Sequence, residues 1–296
     1  MTQLIHMRYR IKAIETIKKI TDAMRLISMS MHTRLKNREL GMRTYEQELN
    51  KLFLQMRAQV PEWENSLLYP TKKTDTALEK HLLIIIGSQK GLCGNFNTHL
   101  FKLIHYEIIK RDLHSFSTIV IGKKAVDYVN EHNLGTVVAS FSKFSTPLLD
   151  SITKAIIQEL IEAPTPYDTV TVFANVGKNF FMQKPMAYQL IPFSLLAERT
   201  HDHHGQPQDE GLVVDEYEWE QDQHALIDYV AQQALDAFVR HVLLQSLLAE
   251  QAARFVSMDG STRNARTLLE STKLEYNKLR QAKITKELTE LTETVQ

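Results

Sequence analysis

Residues 4–35 read LIHMRYRIKAIETIKKITDAMRLISMSMHTRL, and the spacing of their apolar side chains decides the fold. Leu4, Met7, Ile11, Ile14, Ile17, Ile20, Met24, Ile27, Met31 and Leu35 recur at three- and four-residue steps. That period lays one apolar stripe along a helix. No Pro precedes Pro61, and the first Gly is Gly41. Beyond it the stripe resumes through Tyr45, Leu49, Leu52 and Met56. Some 50 helical residues reach roughly 75 Å at ~1.5 Å each, so this helix is expected to project from its own globule.

The other end of the chain mirrors the first. From Ala225 to about Thr294 there is no Pro and one Gly, Gly260. A stripe runs through Ile227, Val230, Ala234, Phe238, Val242, Leu248, Ala252 and Phe255. Met258-Asp259-Gly260-Ser261 reads as an interruption, after which Leu269, Tyr276, Leu279, Ile284, Leu288 and Leu291 continue it. Two such helices bury their stripes most economically against each other, as an antiparallel coiled coil. A long helix folded over a separate bundle is the other arrangement that the pattern allows.

Between them the texture changes. His81–Gly87 is a continuous apolar run closed by Gly, and Ser117–Gly122, Thr136–Ser140, Thr169–Asn175 and Tyr188–Ser194 repeat the type. Helical patterns at 96–112, 123–132 and 148–162 separate them. Alternation of strand and helix predicts a Rossmann-like, mostly parallel sheet covered by helices. The expected division is a coiled-coil helix over 1–60, an α/β domain with an acidic loop over 78–222, and a second coiled-coil helix over 223–296.

Lys+Arg and Asp+Glu each number 35, so no bulk field draws the chain to nucleic acid or lipid. The balance is local, however. Residues 1–43 hold 10 basic and 3 acidic side chains, whereas 198–222 hold 9 acidic and 1 basic. Opposite charge at different places predicts different partners. Cys93 is the single cysteine, which excludes an internal disulfide. No apolar run reaches ~18 residues, and the N-terminus lacks a signal-peptide layout.

Residues that could carry chemistry do not form a site. Gly87-Ser88-Gln89-Lys90-Gly91-Leu92-Cys93-Gly94 lies between a strand and a helix, the place for a phosphate cradle. But Lys90 precedes its Gly, and neither a P-loop nor a dinucleotide fingerprint results. The bland reading is a tight turn with unusual backbone angles. His201, His203 and His204 beside Asp202 lack the partners that fix metal geometry. Cys93 reads as structural. No cofactor or metal is assigned.

Four stretches carry a resemblance. Residues 10–24 (RIKAIETIKKITDAM), Gly91-Leu92-Cys93-Gly94 followed by Asn97, Glu250–Arg254 (EQAAR) and residues 276–290 (YNKLRQAKITKELTE) resemble, in order, motifs of F-type ATP synthase gamma subunits. The resemblance spans essentially the whole chain. It implies a non-catalytic central rotor stalk, standing in a hexamer of three alpha and three beta subunits, beside an epsilon subunit and on a membrane c-ring. It implies a peripheral location on the cytoplasmic face of the bacterial inner membrane. By matching position it assigns Arg280, Gln281 and Thr285 to a polar latch on the beta subunit. It places Met24 and Arg25 opposite an acidic beta segment, and Tyr217, Trp219 and Glu220 in a foot on the c-ring. Departures from the pattern are Asp22, Met29-Ser30-Met31-His32 and Arg263–Arg266. A coiled-coil adaptor of another hexameric ATPase, derived from the same family, is the alternative function.

Overall fold

The computed structural model describes residues 2–60, 62–65, 68–69, 79–192 and 222–293. Two helices, three shorter helices and five strands account for most of them. They run α1 (Thr2–Gln59), β1 (His81–Ile86), α2 (Phe96–Lys110), β2 (Phe116–Ile121), α3 (Lys123–His132), β3 (Thr136–Phe141), α4 (Leu149–Glu162), β4 (Thr169–Gly177), β5 (Gln183–Ile191) and α5 (Gln223–Glu293). The chain divides into two compact units, residues 1–30 with 254–296, and residues 31–253. No helix among the described residues is long and apolar enough to cross a membrane.

In the larger unit the sheet order is β3-β2-β1-β4-β5. The first four strands pair in parallel, and β5 runs antiparallel to β4. The exception follows from connectivity, since β4 and β5 join by a tight turn with no crossover helix between them. β1 is central and buried on both faces, which explains its unbroken apolar run. Leu83 and Ile85 face α2 and α3, packing with Leu100, Ile104, Ala125 and Val129. Leu82, Ile84 and Ile86 face a larger core with Leu149, Ile152 and Ile156 of α4, Phe53 of α1 and Ile227 to Leu247 of α5. Gly122 opens α3 at φ +91, and a Cβ there would stand 2.4 Å from the carbonyl oxygen of Gly87. Only glycine lets the β1 and β2 turns approach so closely.

The smaller unit is an antiparallel helix pair. Rising numbers in α1 meet falling numbers in α5: Arg8 with Tyr276, Glu15 with Lys273, Thr21 with Thr262, Arg25 with Asp259. Ile14 packs with Ala265 and Leu269 at its apolar centre. This is the coiled-coil arrangement rather than the separate bundle.

Three expectations need correction. Ile17, Ile20 and Ile27, expected in the buried stripe, are exposed, because the buried positions of α1 in this unit are Met7, Ile14, Thr21 and Ser28, a seven-residue repeat. α5 is unbroken through Met258–Ser261. Met258 is buried, and Asp259 pairs with Arg25 and Arg263, so packing and ion pairs outweigh the local breaker signal. The last strand begins at Gln183, five residues before the expected Tyr188, and includes Pro185. As an edge strand β5 tolerates a residue that cannot donate to the ladder.

Candidate functional site

In the smaller unit the helices end unevenly. Arg8 lies against Tyr276, its Nε donating to the phenol at 2.8 Å and its guanidinium 5.8 Å from the ring centre. Continuing that register, residues from about 282 onward face positions before the start of α1. Among the described residues no turn of α1 lies level with α5 beyond about 282, while Arg280 and Gln281 lie level with the first turn of α1. Arg280, Gln281, Ile284, Thr285 and Leu288 are all exposed there. Arg280 makes no ion pair or hydrogen bond among the described residues. Thr285 Oγ1 donates to the Gln281 carbonyl at 3.1 Å, which satisfies the hydroxyl and leaves the amide side chain open. A guanidinium and an amide side by side offer several directional bonds to an incoming carboxylate or carbonyl.

Met24 and Arg25 behave differently. Both are half-buried. Arg25 donates to Asp22 Oδ1 from Nη2 at 2.9 Å and Nε at 3.2 Å, reaches Asp259 at 3.7 Å, and lies 5.9 Å from the Phe255 ring centre. Its charge is already engaged within the helix pair, so an outside carboxylate would meet Arg25 as part of a network. Glu15 is held below the usual carboxylate range by its hydrogen bond from Lys273 and then by that lysine's charge.

Around these polar positions the helix pair exposes apolar side chains. Ile17, Ile20, Leu26 and Ile27 on α1, and Leu274 and Leu288 on α5, are each more than half exposed. Ile17, Ile20 and Ile27 belong to the stripe expected to be buried, and their exposure calls for a partner.

In the larger unit the 87–94 turn is built as a brace for α5. Leu92 and Gly94 take positive φ values of 64 and 58, as the tight-turn reading expects. Ser88 N donates to Asn97 Oδ1 at 3.0 Å, and Asn97 Nδ2 donates to Ser88 Oγ at 2.8 Å. Cys93 is buried with Phe96, Ala249 and Ala253, so the thiol is a packing residue. Gln89 N donates to the buried carboxylate of Glu250 at 3.2 Å, tying the turn to the EQAAR stretch. Two motifs distant in sequence thus meet. The foot residues Tyr217, Trp219 and Glu220, and the His201–His204 cluster, lie outside the described residues.

Sequence reasoning missed a buried ion cluster. His241 of α5 donates to Glu46 from Nδ1 and to Glu39 from Nε2, the latter at 3.2 Å. Glu39 and Glu46 are seven residues apart on one face of α1, a spacing that could have flagged them.

The comparisons decide the family. A family model described as ATP synthase matches residues 3–296. The chain belongs to this ATP synthase family. Curated relatives include an ATP synthase gamma chain of Pelagibacter ubique, 28% identical over 300 residues and covering 98% of each chain. That of Leptothrix cholodnii is 29% identical and covers 96% of this chain and 95% of its own. Among solved structures, the rotor of the Euglena gracilis mitochondrial ATP synthase matches with TM-score 0.61 at 15% identity, covering 96% of this chain and 99% of that one. The central stalk and c-ring of the Tetrahymena thermophila mitochondrial ATP synthase matches with TM-score 0.56 at 20% identity, covering 81% and 98%. Both structures share the fold of this ATP synthase family member: long terminal helices around a mostly parallel sheet.

Proposed function

We infer that the chain is the central rotor stalk, the gamma subunit, of a rotary ATP synthase. In this reading it transmits torque between a membrane c-ring and an alpha3beta3 catalytic hexamer, with an epsilon subunit beside the α/β domain. It carries no catalytic residue of its own, and it sits peripherally on the cytoplasmic face of the inner membrane. The single observation that best supports the mechanism is the uneven helix pair. A stiff antiparallel pair exposes Arg280, Gln281 and Thr285 near the end of α5, with apolar neighbours.

A shaft needs torsional stiffness and a surface that slides. Packing of Ile14, Ala265 and Leu269, with the cross-helix pairs around them, supplies stiffness. Exposed Ile17, Ile20 and Leu26 supply a contact surface without fixed ionic bonds. Rotation presents a different face of this asymmetric pair to each beta subunit in turn. Differential contact then shifts each site between affinities, because a ligand biases a multistate element only through unequal contacts. Arg280 and Gln281 act as the directional latch in this cycle, Met24 and Arg25 meet an acidic beta segment, and Tyr217, Trp219 and Glu220 form the foot on the c-ring.

Co-expression with the alpha and beta subunits tests the reading, and the chain is expected to co-purify with them. In that complex, Arg280→Ala with Gln281→Ala lowers coupled ATP turnover about tenfold, the worth of one charge-assisted hydrogen bond. Unchanged assembly and turnover in the double variant would remove the latch.

A further inference from the structure

The turn between β4 and β5 carries an apolar knob that is exposed among the described residues. Phe181 is 70% exposed, Met182 52% and Met186 42%. Lone exposed apolar residues are ordinary, but three adjacent ones of this size are not. Met182 immediately precedes β5, and Met186 shares a face of the strand with Tyr188, which packs on Phe238 with ring centres 5.9 Å apart. Toward the turn from Tyr188, Met186 and Lys184 are exposed among the described residues.

The knob is held rigidly. Asn179 Oδ1 accepts from the backbone N–H of Phe181 at 2.9 Å and of Met182 at 2.8 Å. Lys178 N donates to the Met182 carbonyl at 2.9 Å, and Gln183 Nε2 donates to the Phe180 carbonyl at 2.9 Å. Phe180 turns inward, its ring edge-on to His32 of α1 at 4.7 Å and to Phe181 at 5.3 Å. Burial, ahead of the charge of Lys36, holds His32 below the ordinary imidazole range, so a neutral ring braces Phe180. A surface already fixed in shape loses little entropy when a partner covers it.

Charge identifies the partner. Lys178 at the turn and Lys184, between Met182 and Met186 in the chain, are both exposed, and neither makes an ion pair among the described residues. No Asp or Glu occurs from Val176 to Gln189. We propose that the Phe181–Met182–Met186 knob, together with Lys178 and Lys184, is a docking surface for an acidic protein segment that bears apolar side chains. Apolar contact supplies affinity, and the two lysines supply approach and register. This rests on the rotor reading, in which such a segment belongs to a subunit of the same complex.

The test places the photo-crosslinker p-benzoylphenylalanine at Phe181, and at Ile109 as an exposed control on α2, in the chain co-expressed with the other subunits of the complex. After irradiation, Phe181→p-benzoylphenylalanine is expected to crosslink a partner polypeptide, and mass spectrometry to place the adduct in an Asp/Glu-rich segment. Lys178→Glu with Lys184→Glu is expected to lower that yield about tenfold, because opposed charge becomes like charge. Crosslinking to lipid would assign the knob to an anionic membrane surface and overturn the proposal. So would a yield no higher than at Ile109, an adduct in a segment without acidic residues, or a yield indifferent to the two glutamates. If the chain co-purifies with alpha and beta but the knob does not crosslink, only this inference falls. If it does not co-purify, both readings fall.

Discussion

Raising the pH above 9 should loosen the larger unit by breaking the His241 cluster. His241 is 8% exposed and bonded at both ring nitrogens to carboxylates, which requires the imidazolium form. Burial alone would push the imidazole down. The hydrogen bonds with Glu39 and Glu46, and then their charges, outweigh it and raise His241 to about 9 from an ordinary 6.5. The reciprocal effect holds Glu39 below the usual carboxylate range, chiefly through the hydrogen bond from His241. A folded value above the unfolded one means that the stabilisation is fully present below pH 6.5 and is lost as pH rises through about 9. At about 1.4 kcal/mol per pH unit, the cluster is worth about 3 kcal/mol at most. Arg43 also lies close enough to act on Glu39, and Gln245 hydrogen-bonds that carboxylate, so deprotonating His241 leaves Glu46 the least compensated. The assay is urea unfolding of the purified chain, followed by circular dichroism at pH 7 and pH 10, for the wild type and His241→Gln. Wild type should lose about 2–3 kcal/mol between the two conditions, while the variant starts lower and loses much less. Equal pH dependence in both proteins would refute the reasoning.

Two further outcomes follow from the helix pair. Thr262 Oγ1 donates to Thr21 Oγ1 at 2.9 Å in a buried seam, while Thr21 Oγ1 donates to the Lys18 carbonyl at 3.1 Å. Thr21→Val strands the Thr262 hydroxyl and should cost about 1–2 kcal/mol in urea unfolding, whereas Thr262→Val leaves Thr21 bonded and should cost less; the reverse order would contradict the geometry. Gly260→Ala should stabilise the chain by about 0.5–1 kcal/mol, since a Cβ there meets nothing within 4 Å, and a lower urea midpoint would show that the glycine serves the packing after all.

Much of the fold was legible because it rests on long periodic signals. A stripe sustained from Leu4 to Met56 marks one long helix, although not which of its apolar residues are buried, and the five apolar runs each contribute to a strand. Antiparallel pairing of β5 was less legible, because its turn chemistry, Asn179-Phe180-Phe181, lacks the Gly that marks a tight hairpin. Asn179 supplies the turn through its side chain instead. The polar tip of α5 came only through resemblance, since nothing in the local pattern distinguishes Arg280 from any surface charge. The structure adds that Arg280, Gln281 and Thr285 are all exposed on α5.

Gly260 and His241 show why the remainder resisted reading. Both lie in α5, and both contradict what their immediate neighbours suggest. Gly260 sits in a Met-Asp-Gly-Ser stretch that favours a break, yet the helix continues because Met258 is buried and Asp259 is bonded across to Arg25 and along to Arg263. His241 interrupts a run of apolar core residues, yet it is tolerated because Glu39 and Glu46 arrive from α1 to match both ring nitrogens. In each case the deciding partner is some 195 to 234 residues away in sequence. Local propensity differs by only about 1 kcal/mol per residue, whereas an unmatched buried charge costs about 3–5 kcal/mol. Long-range partners therefore win wherever the two conflict. A long helix in this chain is thus set by what lies across from it.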